Sequence, residues 1–576
     1  MKRLFLALLL LLSFPIAAHA LAVSIKLTWT ASTDPFSTVT SYNIWRNGVK
    51  IGTSATTSYT DTTVTRTTQY SYTISAVDAA GNESAQSLPI VVTSLSDFLE
   101  TPGPSLNLYN DNPYYTCVTN RYVSTTGLGT NDGLTVSTPW DIQTAAATSV
   151  PAGTCINLAT GVYQANEVDI QFGGTNATKT GYVVWRCSSM PFSFSGGVLQ
   201  GEGTGCVLRL LTTGQFNVMR LRAGISYVMI DGIEFDGLFG NANSVNCFDN
   251  AVGVSSTTVL NHHIWIFNSD FHGCGQAGIS STSADYWYVI HNVWHDNSSG
   301  SCVMGSGLSH WQPVGLPNYT PRVGDTDNLF HSNVTNVTYH LVMTYNVGYH
   351  NFNPQGACGA TANTDGEGII LDRFDHPDAC PPSGTICPFA PSTLIMGNVM
   401  YNNGGQGIQQ FATAPGQVTT IVNNTMYSNN WDTFNGGTWR AGGYTQSANG
   451  VTWWNNVSVA VRGAGILANN SPFVGQQAGA ACNPTNNTWA NNLSAPAAQN
   501  NFDGGACNTY PTPSNVDTAS AGFTNQSTTA PNFGLTAGSG AVGLGQAFDL
   551  WQQSGQAAVD SGACPRSAPG PTTACP

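Results

Sequence analysis

Short segments of alternating apolar and polar residues fill the first part of the chain. KLTWT, SYNIWRNG, TSYTD and QYSYTISAVD are rich in β-branched and aromatic residues and have the period of two that a half-buried strand requires. Asn47 and Gly48 fall between two such segments, and an Asn-Gly pair favours the two-residue turn of a β-hairpin. The pattern predicts a small antiparallel β-sandwich over residues 21–94.

A second pattern repeats through most of the remaining chain. Each repeat has an apolar strand, an asparagine, a short turn and another strand, and the asparagines are Asn268, Asn292, Asn346, Asn398, Asn424, Asn456 and Asn492. Separations such as the 24 residues from Asn268 to Asn292 are typical of a solenoid, in which each coil buries its apolar face against its neighbours. We expect each asparagine to adopt the left-handed turn conformation and to hydrogen-bond from coil to coil.

Two family resemblances follow from these segments. The N-terminal segment resembles a fibronectin type III module, with Trp29 and Tyr70 at the positions of its core tryptophan and tyrosine corner. The segment RYVSTTGLGTNDGLTVSTPWDIQTAAATSVPAGTCINLATGVYQ, with a short helix near Asp141, resembles the N-terminal cap of right-handed parallel β-helix proteins of the pectate-lyase-like superfamily. FGLTAGSGAVGLG resembles the closing turns of such helices. The expected fold is all-β, a sandwich followed by a right-handed parallel β-helix.

The expected domain organisation has five parts. They are a signal peptide at 1–20, a fibronectin type III-like domain at 21–94, a linker at 95–114, the β-helix at 115–550 and a C-terminal tail at 551–576. MKRLFLALLLLLSFPIAAHA has the basic start, apolar run and small-residue cleavage site of a secretory signal, so we expect an exported protein. Its apolar run is shorter than a membrane span needs.

Composition narrows the choice of partners. Only 8% of the residues are charged, and the net charge of −14 makes contact with a nucleic acid backbone unfavourable. An anionic polysaccharide would also be repelled unless a basic patch or a bound cation intervenes. We expect a polysaccharide partner, no nucleic acid, no membrane span and a monomer.

Cysteine usage agrees with export. All 14 cysteines lie from Cys117 onward, and an even number in an exported chain favours disulfides. The plausible near pairs are Cys187–Cys206, Cys247–Cys274, Cys482–Cys507 and Cys564–Cys575. Because the chain has neither a CxxC pair nor an HExxH motif, a dedicated zinc site is not expected.

Candidate chemistry concentrates in the middle of the chain. All ten histidines after the signal lie between His262 and His376, and NTDGEGIILDRFDHPD is the densest group of carboxylates. In a chain that otherwise avoids charge, such a concentration indicates a functional site. Its acidic residues are Asp365, Glu367, Asp372, Asp375 and Asp378.

Alignment of four coils, AGISSTS, SGLSHWQ, EGIILDR and QGIQQFA, sharpens this hypothesis. Strand alternation places Ile279, Leu308, Ile369 and Ile408 in the core. The outward residues three positions further on include Trp311, Asp372 and Phe411, so we expect two rings and a carboxylate to line one groove, unless the loops 312–340 and 374–393 cover them. The predicted substrate-binding residues are Trp311, Phe411, Gln409, Asp375 and His376.

The β-helix resemblance implies carbohydrate processing without fixing the chemistry. We expect a lyase that cleaves a uronate-containing polysaccharide, with Asp372, Arg373, Glu367 and His310 as the catalytic residues. Asp365, Glu367 and Asp372 would hold Ca²⁺, which prefers oxygen ligands and would bridge to the uronate, and Arg373 or a histidine would take the C5 proton. A glycoside hydrolase, an epimerase and a non-catalytic carbohydrate-binding or adhesin-like surface protein are the alternatives.

Overall fold

The computed structural model describes residues 25–93, 114–502, 516–517, 523–525 and 532–535, apart from internal gaps, the longest of which are 251–259, 354–364, 375–390, 433–440, 461–470 and 477–486. The chain divides into two compact units, Met1–Leu106 and Asn107–Pro576. The predicted signal peptide, the tail and all of the predicted linker except Tyr114 lie outside the described residues. The domain boundaries given above stay predictions.

The N-terminal unit contains the predicted antiparallel strands in two sheets. One sheet pairs Ile25–Thr28 with Ser58–Asp61, and the other has the order Val49–Ser54, Val39–Arg46, Gln69–Asp78 and Ile90–Thr93. Asn47 and Gly48 both have positive φ, 50° and 80°, as the predicted hairpin turn requires. Residues of both sheets, including Leu27, Trp29 and Ile44, form one buried cluster. The fibronectin type III-like fold is confirmed.

The C-terminal unit is a coil of three long parallel sheets, visited in a fixed order by each turn of the chain. Sheet 1 contains Val168–Ile170, Asn217–Leu221, Asn246–Asn250, Ile279–Thr282, Leu308–Trp311, Ile369–Asp372, Ile408–Phe411, Ala441–Gln446, Ser471–Gln476 and Asn501–Phe502. Sheet 2 contains Thr119–Val123, Thr154–Leu158, Val183–Cys187, Val228–Asp231, Asn261–Phe267, Ala284–Ile290, Leu341–Thr344, Thr393–Met396, Thr419–Val422, Val451–Trp454 and Thr488–Ala490. Sheet 3 contains Gly161–Ala165, Cys206–Leu210, Ile233–Asp236, Asp270–His272, Val293–His295, Val347–Tyr349, Val399–Tyr401, Thr425–Tyr427, Val457–Val459, Leu493–Ala495 and Val516–Asp517. The predicted parallel β-helix is confirmed.

The remaining described elements are short. The helix Ile142–Ala147 begins after Asp141, whose side chain accepts from the Thr144 N–H, and its Ile142 side packs into the first coil. A 3₁₀ helix spans Thr326–Phe330, and three hairpins pair Ser193–Ser195 with Val198–Gln200, His331–Ser332 with Val337–Thr338, and Phe523–Asn525 with Asn532–Leu535. Neither described helix has the length and apolar character needed to cross a bilayer.

Apolar side chains from all three sheets fill the interior of the coil. Ile279, Leu308, Ile369 and Ile408 are stacked in register on sheet 1 and are fully buried, as predicted. Burial of an aliphatic side chain of this size contributes about 1.5–3 kcal/mol relative to an exposed one. The alternation therefore fixes which side chains of sheet 1 face outward.

A two-residue turn joins sheet 2 to sheet 3 in seven consecutive coils, and its two positions have different roles. The first position has positive φ whether it holds an asparagine, His291, Tyr345 or Gly397. The second position is Ser269 in the first of these turns and the ladder asparagine in the other six, as in Asn398, whose Nδ2 donates to Asn424 Oδ1 at 2.9 Å. The expectation that the repeated asparagine itself takes the left-handed conformation was wrong for six of the seven. Asn268 is the exception, because it occupies the first position.

A second asparagine ladder, which the sequence analysis missed, lies where the chain leaves sheet 3. Asn297, Asn351, Asn403 and Asn429 stack in this order, with Nδ2–Oδ1 distances of 2.9 to 3.0 Å. All four are buried. Two corners of the coil therefore carry a continuous line of satisfied amides.

Three disulfides occur in the described part of the coil. Cys187–Cys206 and Cys247–Cys274 confirm two predicted pairs, and Cys117–Cys155 was not predicted. The predicted pairs Cys482–Cys507 and Cys564–Cys575 lie outside the described residues.

Candidate functional site

Outward side chains of sheet 1 form a half-exposed strip. Trp311 and Asp372 are register partners on adjacent strands, and Phe411 occupies the same position one coil further on. All three are partly exposed, whereas the inward residues beside them are buried. We call the outward residues of sheet 1 from Arg220 to Phe411 the outer strip. The structure brings the three predicted residues together on it.

The other predicted surface residues have mixed positions. Arg373 is exposed, has positive φ and donates its backbone N–H to Phe411 O at 3.1 Å. Gln409 is 8% exposed and lies on the outward face, two residues before Phe411. Asp375 and His376, predicted to bind substrate, lie outside the described residues, as does Asp378.

His310 lies on the inward face of its strand and is fully buried. Its Nδ1 forms a short hydrogen bond with the Ser281 hydroxyl on the preceding coil. Burial lowers the pKa of His310 to about 3, so the ring is neutral at physiological pH. A side chain with this position does not contact a polymer lying outside the coil. The prediction that His310 lies at the strand end beside the groove was wrong, because alternation from Leu308 points its side chain inward.

Glu367 is also buried, in the connection from sheet 3 to sheet 1. Its Oε2 accepts from the Ser306 hydroxyl at 2.7 Å, and burial, followed by repulsion from Asp365, raises its pKa well above the usual range. Burial and repulsion from Asp365 both disfavour the ionised carboxylate that Ca²⁺ binding requires. Asp365 and Asp372 do not converge with it into a close ligand group among the described residues. This arrangement does not fit a shared calcium ion, and the calcium site stays a prediction.

The described part of the insertion 312–340 folds over sheet 2. This insertion is one of the two loops that would cover the predicted groove. Its Asp327 is fully buried and accepts from the hydroxyl of Tyr288, which lies in sheet 2, at 3.0 Å. Leu316 N donates to Asp285 of the same sheet at 2.8 Å. Described residues of this insertion therefore contact the neighbouring face of the coil.

Charged residues cluster at the N-terminal end of the outer strip. Arg220 Nε lies 2.9 Å from Glu167 and 3.1 Å from Asp169, and Arg222 also contacts Asp169. The two arginines are 34% and 52% exposed, but the two carboxylates only 12% and 16%. The cluster therefore presents guanidinium groups to the solvent above partly buried acids.

Asp249 lies beside this cluster as the register partner of Arg220 on the next strand. Burial raises its pKa to about 7, with a further contribution from Glu167, while hydrogen bonds from Ser280 and the Asn250 backbone and the charge of Arg220 act in the opposite direction. A carboxyl that titrates near neutrality on a partly exposed surface is suited to proton transfer. Asp249 lies outside the acidic segment, so the charge pattern does not reveal it, and the signal that could have found it is its strand's alignment with AGISSTS.

A cavity of about 520 Å³ lies against the first coils, away from the outer strip. Its lining includes Tyr122, Asn157 and Arg186, and Arg186 Nε donates to Asn157 Oδ1 at 2.8 Å. Among the described residues, this lining contains no histidine and no carboxylate. It therefore offers no proton-transfer group comparable with Asp249.

Comparison with known proteins gives short sequence matches. No family model matches the chain. Exoglucanase B of Cellulomonas fimi is 48% identical over 80 residues, which are 14% of this chain and 7% of that protein. Chitinase D of Niallia circulans is 45% identical over 82 residues, which are 14% of this chain and 15% of that protein. The chain thus spans well under a fifth of these relatives, and the matched length fits the N-terminal sandwich.

Solved structures give longer but distant matches. The pectate lyase Pel9A has a TM-score of 0.36 and 16% identity, covering 78% of this chain and 96% of that one. A rhamnogalacturonan lyase has a TM-score of 0.34 and 10% identity, covering 65% and 87%. The strand order and parallel register described above define the class: a fibronectin type III-like sandwich followed by a disulfide-bonded parallel β-helix.

Proposed function

We propose that this protein is exported and processes an acidic polysaccharide bound along the outer strip of sheet 1, cleaving it by β-elimination. Export is supported by the N-terminal sequence and by three disulfides, which persist in oxidising compartments. The carbohydrate-active relatives and the lyase structures agree with this class of substrate. The observation that carries the proposal is the register pair Arg220–Asp249, a partly exposed cation beside a carboxyl with a pKa of about 7.

The strip supplies the contacts that an acidic polymer needs. Arg220 on the strip is partly exposed, and Arg222 and Arg373, each just after a strand of sheet 1, are exposed, in a chain that has only 17 basic residues. A guanidinium binds a carboxylate through paired hydrogen bonds, which offsets the repulsion expected from the net charge of −14. Trp311 and Phe411 lie three and five strands along sheet 1 from Arg220, at roughly 4.8 Å per strand. Their rings can stack on sugar faces further along the polymer.

The proposed step is an elimination in which Asp249 moves one proton. Arg220 and Arg222 bind the uronate carboxylate, which increases the acidity of C5. The ionised Asp249 takes the C5 proton, the C5–H electrons form the C4–C5 double bond, and the C4–O bond breaks. The departing oxygen takes the proton back from Asp249, so the carboxyl ends in its starting state. No calcium ion enters this step.

Product analysis tests the proposal directly. The purified protein is incubated with polygalacturonate, alginate, rhamnogalacturonan and neutral xylan, and both new reducing ends and the ultraviolet absorbance of unsaturated products are followed. We expect unsaturated products from at least one uronate polymer, lost in D249N and retained in D132N, which removes one carboxylate from an exposed loop. Bound polymer without any new ends would contradict the catalytic role and favour a carbohydrate-binding protein.

Hydrolysis is the second candidate, favoured by one specific relationship. Asp169 and Asp249 flank Arg220 on the same outward column, two strand spacings or roughly 10 Å apart, near the upper end of the separation for an inverting carboxylate pair. Asp249, protonated below pH 7, would then serve as the acid. New reducing ends without unsaturation would establish hydrolysis and overturn elimination.

A further inference from the structure

A histidine-rich cluster lies on the outward face of sheet 3, a different sheet from that of the outer strip. His272 and His295 are register partners on adjacent strands, and their rings stack at 5.1 Å with an angle of 5°. Glu202, in the loop after the hairpin strand Val198–Gln200, reaches this stack, with Oε1 2.9 Å from His295 Nε2. One ligand atom from each of these three residues lies within 4.8 Å of the others.

Asp270 supplies an independent sign that a cation belongs in this cluster. It lies two residues before His272, on the same face of the strand, and is fully buried. Among the described residues, neither carboxylate oxygen receives a hydrogen bond, and the Oδ1 contact with His295 Nε2 is 3.5 Å. A buried carboxylate without donors is costly, because its lost hydration is not replaced. A metal ion bound to Asp270 would supply the favourable interactions that hydration no longer provides.

Neighbouring groups hold the imidazoles in an orientation suited to a metal. His295 Nδ1 lies 2.7 Å from Asp296 Oδ2, which leaves Nε2 facing Glu202 and Asp270. A carboxylate on one ring nitrogen commonly orients the other toward a metal. Tyr349 stacks on the far face of His295 at 4.8 Å and fixes the plane of the ring.

Glu234 holds both His272 and the loop that carries Glu202 in place. Its Oε1 lies 3.2 Å from His272 Nε2, and its Oε2 accepts the backbone N–H of Gly203, next to Glu202, at 2.7 Å. One buried side chain thus holds both a strand histidine and the loop that carries the carboxylate. Glu202 is 43% exposed, so the site remains open to solvent on the loop side.

We propose that Glu202, His272 and His295 bind Zn²⁺, with Asp270 as the fourth ligand. Two imidazoles with carboxylates suit zinc, whereas Ca²⁺ and Mg²⁺ prefer oxygen ligands. Ligand atoms of a tetrahedral zinc site are roughly 3.3 Å apart. Glu202 Oε1 already lies 2.9 Å from His295 Nε2, so the contraction needed within the 4.8 Å cluster brings His272 and these two groups together. The ion ties the loop around residues 201–205 to the coil.

Metal titration of the full chain tests this site. The protein is stripped with a chelator, and Zn²⁺ is then added alone while binding is followed by calorimetry and metal analysis. We expect one zinc per chain, a higher Tm with Zn²⁺ and no shift with equal Ca²⁺. Co²⁺ in the same site should give the visible absorption of a tetrahedral complex.

Two variants locate the ion. Zinc binding should be at least tenfold weaker in E202Q, at an exposed loop position, and in H272Q. The control D132N also removes one carboxylate and should leave zinc binding unchanged. If H272Q fails to fold, E202Q and the wild-type titration still decide the question. Absence of bound zinc in the wild type, or unchanged affinity in E202Q, would overturn the proposal. Because the readout is binding, its failure is independent of any failure of the polysaccharide activity.

Discussion

Trp311 and Asp372 face outward from directly paired positions on adjacent parallel strands, so a ring and a carboxylate lie at neighbouring levels of the coil. Both are partly exposed. A sugar unit that stacks on the indole can therefore present its hydroxyls to the carboxylate in the same bound position. Under the proposed function, this pair would contact polymer in the middle of the outer strip, and Asp249 would transfer the proton.

W311A should weaken binding of the cleaved polymer by about 1–2 kcal/mol, or roughly 5–30-fold in Kd, because it removes one stacking ring. The Tm should change little, since the side chain is not part of the buried core. Affinity electrophoresis or calorimetry with an oligosaccharide measures the loss. W431A provides a matched control, because Trp431 is 39% exposed and lies outside the strip. An equal loss in W431A would contradict the assigned role.

The pH dependence of the reaction should report Asp249. If Asp249 is the base of an elimination, kcat/KM rises as pH increases through about 7, because only the ionised carboxyl takes a proton. If it is the acid of a hydrolysis, the rate falls over the same range. Initial rates between pH 5 and 9 on one substrate separate the two directions. A rate without any inflection near pH 7 would exclude Asp249 from the step.

Asp249 should also affect stability in a defined direction. Its folded pKa is raised above the unfolded value of about 3.9, so its contribution to stability is lost as pH rises from about 4 through 7. D249N removes the buried charge and should raise the Tm at pH 8 by roughly 1–3 °C, with a smaller difference at pH 5. Thermal unfolding of D249N and the wild type at pH 8 and pH 5 checks this difference in Tm. A D249N protein that is less stable at pH 8 would contradict the desolvation account.

His310 should contribute to acid unfolding. Its pKa falls from about 6.5 in the unfolded chain to about 3 in the folded chain, so the stability it provides is complete above pH 6.5 and is lost as pH falls toward 3. H310Q should lose less stability between pH 7 and 4 than the wild type. Urea unfolding midpoints of both proteins at pH 7 and pH 4 measure this difference in stability. H340Q is the control, because the His340 ring is 27% exposed, and a similar change there would argue against a specific effect of burial.

Removal of one ladder amide should be strongly destabilising. Asn398 donates to Met343 O and Asn424 Oδ1, and accepts from the backbone and side chain of Asn346, all at 2.9 Å. N398A leaves several buried groups without partners and should cost about 3–5 kcal/mol. Denaturant unfolding measures the cost. N328A, which removes an amide bonded to Arg322 O, should cost under 1 kcal/mol, and comparable losses would contradict the importance of stacking.

The fold could be predicted because its signals repeat along the chain. Each coil supplies the same alternation, so the inward residues from Ile279 to Ile408 were identified by aligning four short segments. The second asparagine ladder was missed because its members follow strands of different sequence, as in Asn297 after His295 and Asn403 after Tyr401. Two of the predicted disulfides, which join cysteines 19 and 27 residues apart, were confirmed because pairing of near neighbours in sequence holds at both.

The site was predicted less completely, for a physical reason. A local acidic segment indicates charge but does not show which carboxyl faces solvent, and Glu367 proved to be buried. Groups that lie side by side come from different coils, as with Arg220 and Asp249, which are 29 residues apart. Glu202 and His295 are further apart still, and their proximity depends on a loop conformation that spacing does not encode.

The fixed two-residue turn after sheet 2 contrasts with the connections from sheet 1 to sheet 2, which range from the single residue between Thr282 and Ala284 to the long excursion between Trp311 and Leu341. The first corner keeps its length through seven consecutive coils, whereas the second varies in length while the strands on either side stay in parallel register. New segments could therefore be grafted at the variable corner, and the protein's specificity could diversify there, while its architecture stays constant.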